Sequence, residues 1–385
     1  MKYVKTISLV IILIINSTSF SQTEFDFTGY IIDLPVYQKN NKELSELFAI
    51  EDYAIININR IRLKPTIYLP ANTRINIEYE ISSIYFSSES SFAFGFGKKT
   101  NRQLFDLSWN IVNENNFSLN HFIDRIYFRK GFDFGNITIG RQRISWGTGR
   151  IWNPTDLFNP INPANFAKIE KDGADAVSIK ASLASFTDVQ IVFNPKEKFK
   201  HSNYGFRFRS NYSEYDYSII GGYFDKRYVI GADFAGNLLT AGIRGEGIVS
   251  INKNNGGSNF VKYIFGIDYQ FNAEIYAVLE YHFNGEGTKN KLEYEFNRLI
   301  NGEILNLNKD YLYTGMTYQF NPLLYLMISE FSNLNDGSGF ISILGNYSVT
   351  ADFYLSLGFQ YSFGSNLSEY WYYPNSIYLQ GEYYF

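Results

Sequence analysis

The feature that most restricts this chain is a period of two. In RINIEYEISSIYF, from Arg74, the residues Ile75, Ile77, Tyr79 and Ile81 fall on one side and Asn76, Glu78, Glu80 and Ser82 on the other. FVKYIFGIDYQF, from Phe260, repeats it: Val261, Tyr263, Phe265, Ile267, Tyr269 and Phe271 lie opposite Lys262, Gly266, Asp268 and Gln270. Side chains alternate between faces only in an extended strand, so each stretch is a strand with one apolar and one polar face. Helical periodicity is nearly absent. About eighteen such segments follow one another, at 25–37, 54–69, 74–87, 119–130, 136–146, 175–183, 187–194, 203–211, 214–225, 227–235, 238–252, 259–271, 273–285, 309–321, 323–334, 338–350, 352–364 and 375–385.

The connections sort by parity. Those after even-numbered segments are tight: PANT, GFDFG, ASF, YS, GN, Asn272, Pro322 and Ala351. The long ones follow odd-numbered segments, at 38–53, 88–118, 147–174, 195–202, 253–258, 286–308 and 365–374, with short exceptions at Lys226 and 335–337. A soluble sandwich has no reason to sort its loops this way. A membrane barrel with tight turns on one rim and long loops on the other does. The expected fold is therefore all-β: a transmembrane antiparallel β-barrel of outer-membrane type with about eighteen strands, sixteen if a short segment is miscounted. Pro35 and Pro65 lack the N–H that a closed ladder needs, which predicts a strand end or bulge at each.

Composition agrees. Residues 1–21 carry Lys2 and Lys5, an apolar run from Ile7 to Ile15 and the small-residue stretch STSFS, the pattern of a cleaved export signal. Residues 22–385 then form one barrel domain. There is no cysteine, so no disulfide is available. Removing Lys2 and Lys5 leaves 32 basic against 38 acidic residues, a net charge of −6, which argues against a nucleic-acid partner. No later stretch approaches ~20 consecutive apolar residues, so no helix crosses a membrane. The 32 tyrosines and 35 phenylalanines exceed what a soluble core needs but suit lipid-facing walls and interfacial girdles. The C-terminal segment SIYLQGEYYF ends with Tyr383 and Phe385 on one face, as an assembly signal read by the outer-membrane insertion machinery would; Gly381 interrupts that face. Outer-membrane lipid and lipopolysaccharide are the remaining expected partners.

Alternation also assigns charges to the inner face. Basic residues Arg60, Arg62, Lys64, Arg125, Arg129, Lys180, Arg207 and Arg209 gather on the second to eighth segments, with Glu78, Glu80 and Asp188. Acids Asp216, Asp233, Glu246, Asp268, Glu280 and Glu382 gather on the ninth to eighteenth, against Arg244 and Lys262. Two readings stand: a transverse field that favours small polar solutes, or cross-strand ion pairs such as Arg62 and Lys64 with Glu78 and Glu80.

The most irregular stretch is GRQRISWGTGRIWNPTDLFNP, 140–160. The loop it begins, about 147–174, is stiffened by Pro154, Pro160 and Pro163 and holds Trp152, Phe158 and Phe166, which need burial. Such a loop is expected to fold inward and narrow the lumen, with Arg141, Arg143, Arg150, Asp156 and Lys168 near the constriction. A bulge at Gly140 would turn Arg141 and Arg143 inward; without one they face outward near the rim, within reach of lipopolysaccharide phosphates. Gly140, Arg141, Gln142, Trp146 and Gly147, followed by NPTDLFNP, resemble the Gly-Arg-Gln…Trp-Gly signature of porin-like outer-membrane barrels of the alginate-export and related types. That resemblance covers about twenty residues and implies a channel for sugars, uronates or other small polar molecules; there is no extended basic ladder of the kind an alginate exporter would want.

Enzymatic chemistry is thin. His121, His201 and His282 have no metal-ligand spacing, and no Gly-x-Ser-x-Gly elbow occurs. The glycines around Gly245 sit in a strand with no helix after them, so they are not a phosphate loop. No cofactor or metal is expected. The reading is a porin for passive diffusion of small hydrophilic solutes. The alternatives are a non-conducting surface scaffold or receptor using loops such as 286–310, and a barrel-embedded lipid hydrolase based on His282 beside Glu280.

Overall fold

A computed structural model describes residues 23–88, 100–159, 170–252, 258–300 and 304–385. The expected export signal and Lys168 lie outside the described residues. Strands form where alternation places them: β1 (Glu24–Lys39), β2 (Tyr53–Leu69), β3 (Thr73–Phe86), β4 (Ser108–Asn113), β5 (Phe117–Phe132), β6 (Gly135–Gln142), β7 (Ala174–Ala184), β8 (Thr187–Asn194), β9 (Asn203–Tyr212), β10 (Tyr215–Phe224), β11 (Arg227–Leu238), β12 (Ala241–Asn252), β13 (Phe260–Gln270), β14 (Ile275–Asn284), β15 (Asp310–Asn321), β16 (Leu324–Asn333), β17 (Ser338–Ser348), β18 (Phe353–Phe363) and β19 (Asn375–Tyr384). Each pairs antiparallel with the next, except that β3 passes β4 to pair with β5, and β1 pairs with both β2 and β19, the latter from Tyr30↔Tyr384 to Lys39↔Asn375. The sheet closes on itself as a barrel.

Eighteen strands make the wall; β4 is the addition. β6 leaves the wall early. Its pairing with β5 stops at Ile126↔Arg141, although the fifth segment was expected to run to 146. β4 takes over the vacated edge of β5, from Ser108↔Phe122 to Asn113↔Ser118. Short helices are also unexpected, one at Phe296–Ile300 and one at Lys42–Phe48, the latter capped by Asn41, whose side chain accepts from the Glu43 N–H at 3.1 Å. Seven residues are too few for a helical period to stand out.

Some of the tight turns use positive φ on both central residues, as right-twisted two-residue hairpins favour: Ser213 and Glu214 between β9 and β10, Asp225 and Lys226 between β10 and β11. The prolines behave differently from expectation. Pro35 and Pro65 sit within β1 and β2, opposite Asn57 and Phe27, with no shift of register. Pairing lapses on the other side instead, at residues 34–35 towards β19 and 64–65 towards β3, where the missing N–H would have pointed.

The outer wall is apolar over most of its surface. The inner wall is not uniformly polar, which alternation alone does not reveal. Tyr30, Ile32, Leu34 and Val36 of β1, Ala54, Ile56 and Ile58 of β2, Ile84 of β3 and Tyr378 of β19 form one dry inner cluster. Two more inner clusters lie on β7–β12 and on β13–β17. At the C-terminus, Phe385 exchanges backbone hydrogen bonds with Gly29 (2.8 and 3.1 Å), and its ring lies 6.0 Å from that of Phe27.

Candidate functional site

The site is the segment after β6, carried across the lumen and fixed at both ends. Its departure is built by the Gly140-Arg141-Gln142 stretch. Gly140 has φ +121°, and a Cβ there would lie 2.3 Å from the Ile126 carbonyl oxygen. The ladder nevertheless passes through Gly140 in register, so no bulge forms. Arg141 therefore points neither into the lumen nor into lipid. It lies buried in the seam that β6 opens: its guanidinium donates to Asp175 of β7 (2.7 Å), to the Ile123 carbonyl of β5 (3.0 Å) and to the Phe105 carbonyl ahead of β4. Gln142 is buried too and donates to the carbonyls of Ala176 (2.9 Å) and Thr138 (3.2 Å). Arg143 is exposed.

Beyond Arg143 the chain packs on inner-wall side chains. Trp146 and Phe158 meet edge-on, 5.1 Å between centroids, within the cluster formed by Val192, Ile220, Phe224, Val229 and Ile248. The Trp146 indole N–H donates to Gln190 at 3.0 Å, and the ring fits only because Gly205 has no side chain. Trp152 enters the other cluster, stacked on His282 at 5.3 Å and edge-on to Phe331. His282 is thus used to seat an indole. Its Nδ1 lies 3.2 Å from the Tyr263 carbonyl oxygen.

Two wall carboxylates hold the backbone of this limb. Glu280 accepts from the N–H groups of Arg150 (2.8 Å), Ile151 (3.1 Å) and Trp152 (2.8 Å). Glu246 accepts from Thr148 (2.6 Å) and Thr155 (3.3 Å). Gly147, with φ +97°, lets Glu246 approach; a Cβ would sit 2.6 Å from its Oε2. Asp268 takes Arg244 and, at 3.4 Å, Arg150. Asp156 is buried and pairs with Lys171 at 2.5 Å.

The returning limb is fixed on the far wall. Arg62 is the hub, with Glu78 at 2.8 Å, Glu80 at 2.9 Å, Glu170 at 3.4 Å and Asp124 in closest contact. Arg125 joins Glu78 (2.8 Å) to Glu170 (3.2 Å), and Lys64 reaches Glu170 at 2.7 Å. Arg60 lies 3.9 Å from Glu80. Asp124 also accepts from the Gly173 N–H at 3.0 Å. Burial alone would raise the Glu170 carboxyl, but Arg62, Lys64 and Arg125 outweigh it and hold it below its ordinary value. Glu78, Asp124 and Glu170 come close enough to hold a metal ion, yet Arg62 and Arg125 already supply the positive charge among them.

Most of the charges that alternation assigns to the two walls are engaged in pairs or loop contacts. Lys180 and Arg209 share Asp188 (3.4 and 2.5 Å), Arg207 donates to Ser218 (3.1 and 3.0 Å), Asp216 accepts from Asn211 (2.9 Å) and Glu382 from Tyr384 (2.6 Å). Asp233 is buried on the strand next to Glu246. Arg129 lies directly opposite Arg74 across β3 and β5.

Residues that alternation does not single out complete the site. Arg102 grips Asp225 through both nitrogens (2.7 and 2.8 Å) and the Leu157 carbonyl (2.8 Å), tying the loop before β4 to the inward segment. Glu369 is buried in the last long connection and accepts from Leu307 N–H (3.1 Å), Tyr311 (2.5 Å) and Asn333 (2.9 Å). One signal was available: adjacent apolar residues within a strand, as at Ile219–Ile220 and Tyr263–Ile264–Phe265, mark inner-wall positions that something must cover. On one side of the inward segment remains a cavity of about 1020 Å³, lined by Trp152, Phe224 and Ile248, by the cations Lys196, Lys198, Lys226, Arg227, Lys262 and Arg298, and by the acids Glu197, Asp225, Glu286 and Glu295.

Fold and site define a transmembrane β-barrel of the outer-membrane type, closed by eighteen strands with an interior segment. Among solved structures it is similar to OccAB3 of Acinetobacter baumannii (10% identity, 94% of this chain and 99% of that chain, TM-score 0.59), to OccAB1 of the same organism (9%, 96% and 99%, 0.56) and to OmpF of Salmonella typhi in complex with daunomycin (13%, 94% and 98%, 0.50). At these identities the likeness is one of fold. No family model and no curated protein matches the chain.

Proposed function

We propose that this protein is an outer-membrane porin through which small hydrophilic solutes, such as sugars or organic anions, diffuse passively. The observation that carries the reading is the double anchoring of the inward segment: Glu246 and Glu280 on one wall, Arg62, Lys64 and Arg125 on the other. A segment held at both walls narrows a lumen to a fixed aperture, as diffusion selective for size requires. The constriction is assigned to the inward loop at about 147–174, with Arg143 and Arg150 beside it. In the lining of the cavity beside it lysines and arginines outnumber the carboxylates, which favours anions over cations. Residues 1–21 direct export, the C-terminal strand with Tyr383 and Phe385 is read by the assembly machinery, and lipopolysaccharide surrounds the outer rim. The Gly-Arg-Gln…Trp-Gly resemblance to porin-like barrels points the same way.

The test is single-channel recording of the refolded mature chain in a planar bilayer. Discrete, stable conductance steps with a reversal potential favouring anions are expected. A silent bilayer from protein whose gel migration is still heat-modifiable overturns the porin reading and favours a surface scaffold or receptor.

A further inference from the structure

The wall formed by β1–β3 is inside out over one patch. On its outer face Asp33 lies opposite Asn59 and Gly381, Asn59 opposite Ser83, and Asn57 opposite Pro35. Asp33 and Asn59 are exposed. Directly behind them the inner face carries Ile32, Leu34, Ile56, Ile58 and Ile84, all buried and dry. This is no rim of the barrel. Along the strands the patch is bounded on one side by Tyr37, Ile55, Tyr85 and Ile377 and on the other by Ile31, Ile61, Ile81 and Tyr383, all facing outward. On the far wall the outward row of β13 runs Val261, Tyr263, Phe265, Ile267 and Tyr269 without interruption.

Lipid chains offer Asp33 no donor and the asparagine amides no partner, and charged or amide groups facing hydrocarbon are unfavourable. We infer that this patch is covered by a second copy of the same chain. The chemistry is self-complementary. Asp33 only accepts, whereas Asn57, Asn59 and Ser83 donate as well. Two copies meeting here let each Asp33 take an amide N–H from the other's asparagines, and closed symmetry repeats that exchange at every contact. Gly381 and Pro35 keep the surface flat enough for close approach, and the packed inner cluster behind it keeps it stiff.

The chain has no cysteine, so one introduced thiol reports contact without background. Asn59→Cys and, on the opposite wall, Leu279→Cys are expressed in outer membranes and oxidised with copper phenanthroline. The expected result is a disulfide-linked species of twice the chain mass for N59C and none for L279C. Equal cross-linking of both, or an N59C adduct of any other mass, overturns the inference. Ser83→Cys replaces N59C if that variant loses heat-modifiable migration. In mild detergent, the double variant Asp33→Leu, Asn59→Leu is expected to fall to single-copy mass while keeping a heat-modifiable barrel; an unchanged assembly mass also overturns it. Neither readout depends on conductance, so failure here and failure of the porin reading are separable.

Discussion

At the scale of single residues, two buried charges do opposite things. Arg62 balances four carboxylates, and both it and Glu80 are almost wholly buried. Removing the guanidinium leaves those carboxylates facing one another without their hub. Arg62→Leu should therefore destabilise the barrel by about 3–5 kcal/mol, seen as a lower temperature of gel-mobility conversion, whereas Arg129→Leu, which has no such partners, should convert near the wild-type temperature. Glu369 lies in a connection outside the strands. Burial pushes its carboxyl from 4.5 up to about 7, although Tyr311, Leu307 and Asn333 donate to it. Its folded pKa exceeds its unfolded one, so its contribution is full below about 4.5 and is lost as pH rises through 7. Hydrogen exchange of residues 364–374 should accelerate between those values, and Glu369→Gln should flatten the dependence. If exchange in the wild type does not change with pH beyond its intrinsic rate, the carboxyl is ionised throughout. At Gly147, alanine would meet both a left-handed φ and Glu246; a cost of about 1–3 kcal/mol is expected, again read from the conversion temperature.

At the scale of elements, the inward segment is held mainly by hydrogen bonds from its own backbone to wall carboxylates. Each such bond contributes about 0.5–1.5 kcal/mol net. Glu246→Ala with Glu280→Ala removes five acceptor contacts and should release this limb, giving larger and noisier conductance steps with an intact barrel. Unchanged steps would mean that Trp146 and Trp152 alone set the aperture. The strands themselves were legible, because each is a run of alternation long enough to outweigh local noise, and the parity of their connections made the barrel legible as well. The anchoring was not. Alternation can put Glu280 on an inner face, but three backbone N–H groups have no sequence signature. The motif residues were visible as irregular, yet Arg141 was read as facing one side or the other. Its place in the wall depends on β6 ending early and β4 replacing it, a tertiary exchange that no local pattern carries. The same holds for Pro35 and Pro65, where a lapse in one ladder substitutes for the bulge that local rules predict.

At the scale of the whole molecule, charge is arranged by wall. The basic residues of β2 and β5 and the acidic residues of β12 and β14 each face a loop limb of complementary character, so the asymmetry along the chain records where that loop is attached. On the porin reading, Lys198 and Lys226 at the cavity rim are among the charges a solute meets. Lys198→Glu with Lys226→Glu should move the reversal potential towards cation preference at nearly unchanged conductance; an unmoved potential would place selectivity elsewhere.

The attachment of the segment also constrains how such a molecule can come into being. Its far anchor, on β2 and β5, is made earlier in the chain than the segment itself, and its other anchor, on β12 and β14, later. The wall is sealed only when β1 finds β19, and their Tyr30↔Tyr384 pairing has the greatest separation along the chain in the sheet. A half-built sheet therefore already carries the segment on its basic side. The second half must wrap around that segment before the seam shuts, so the lumen is furnished before the cylinder exists.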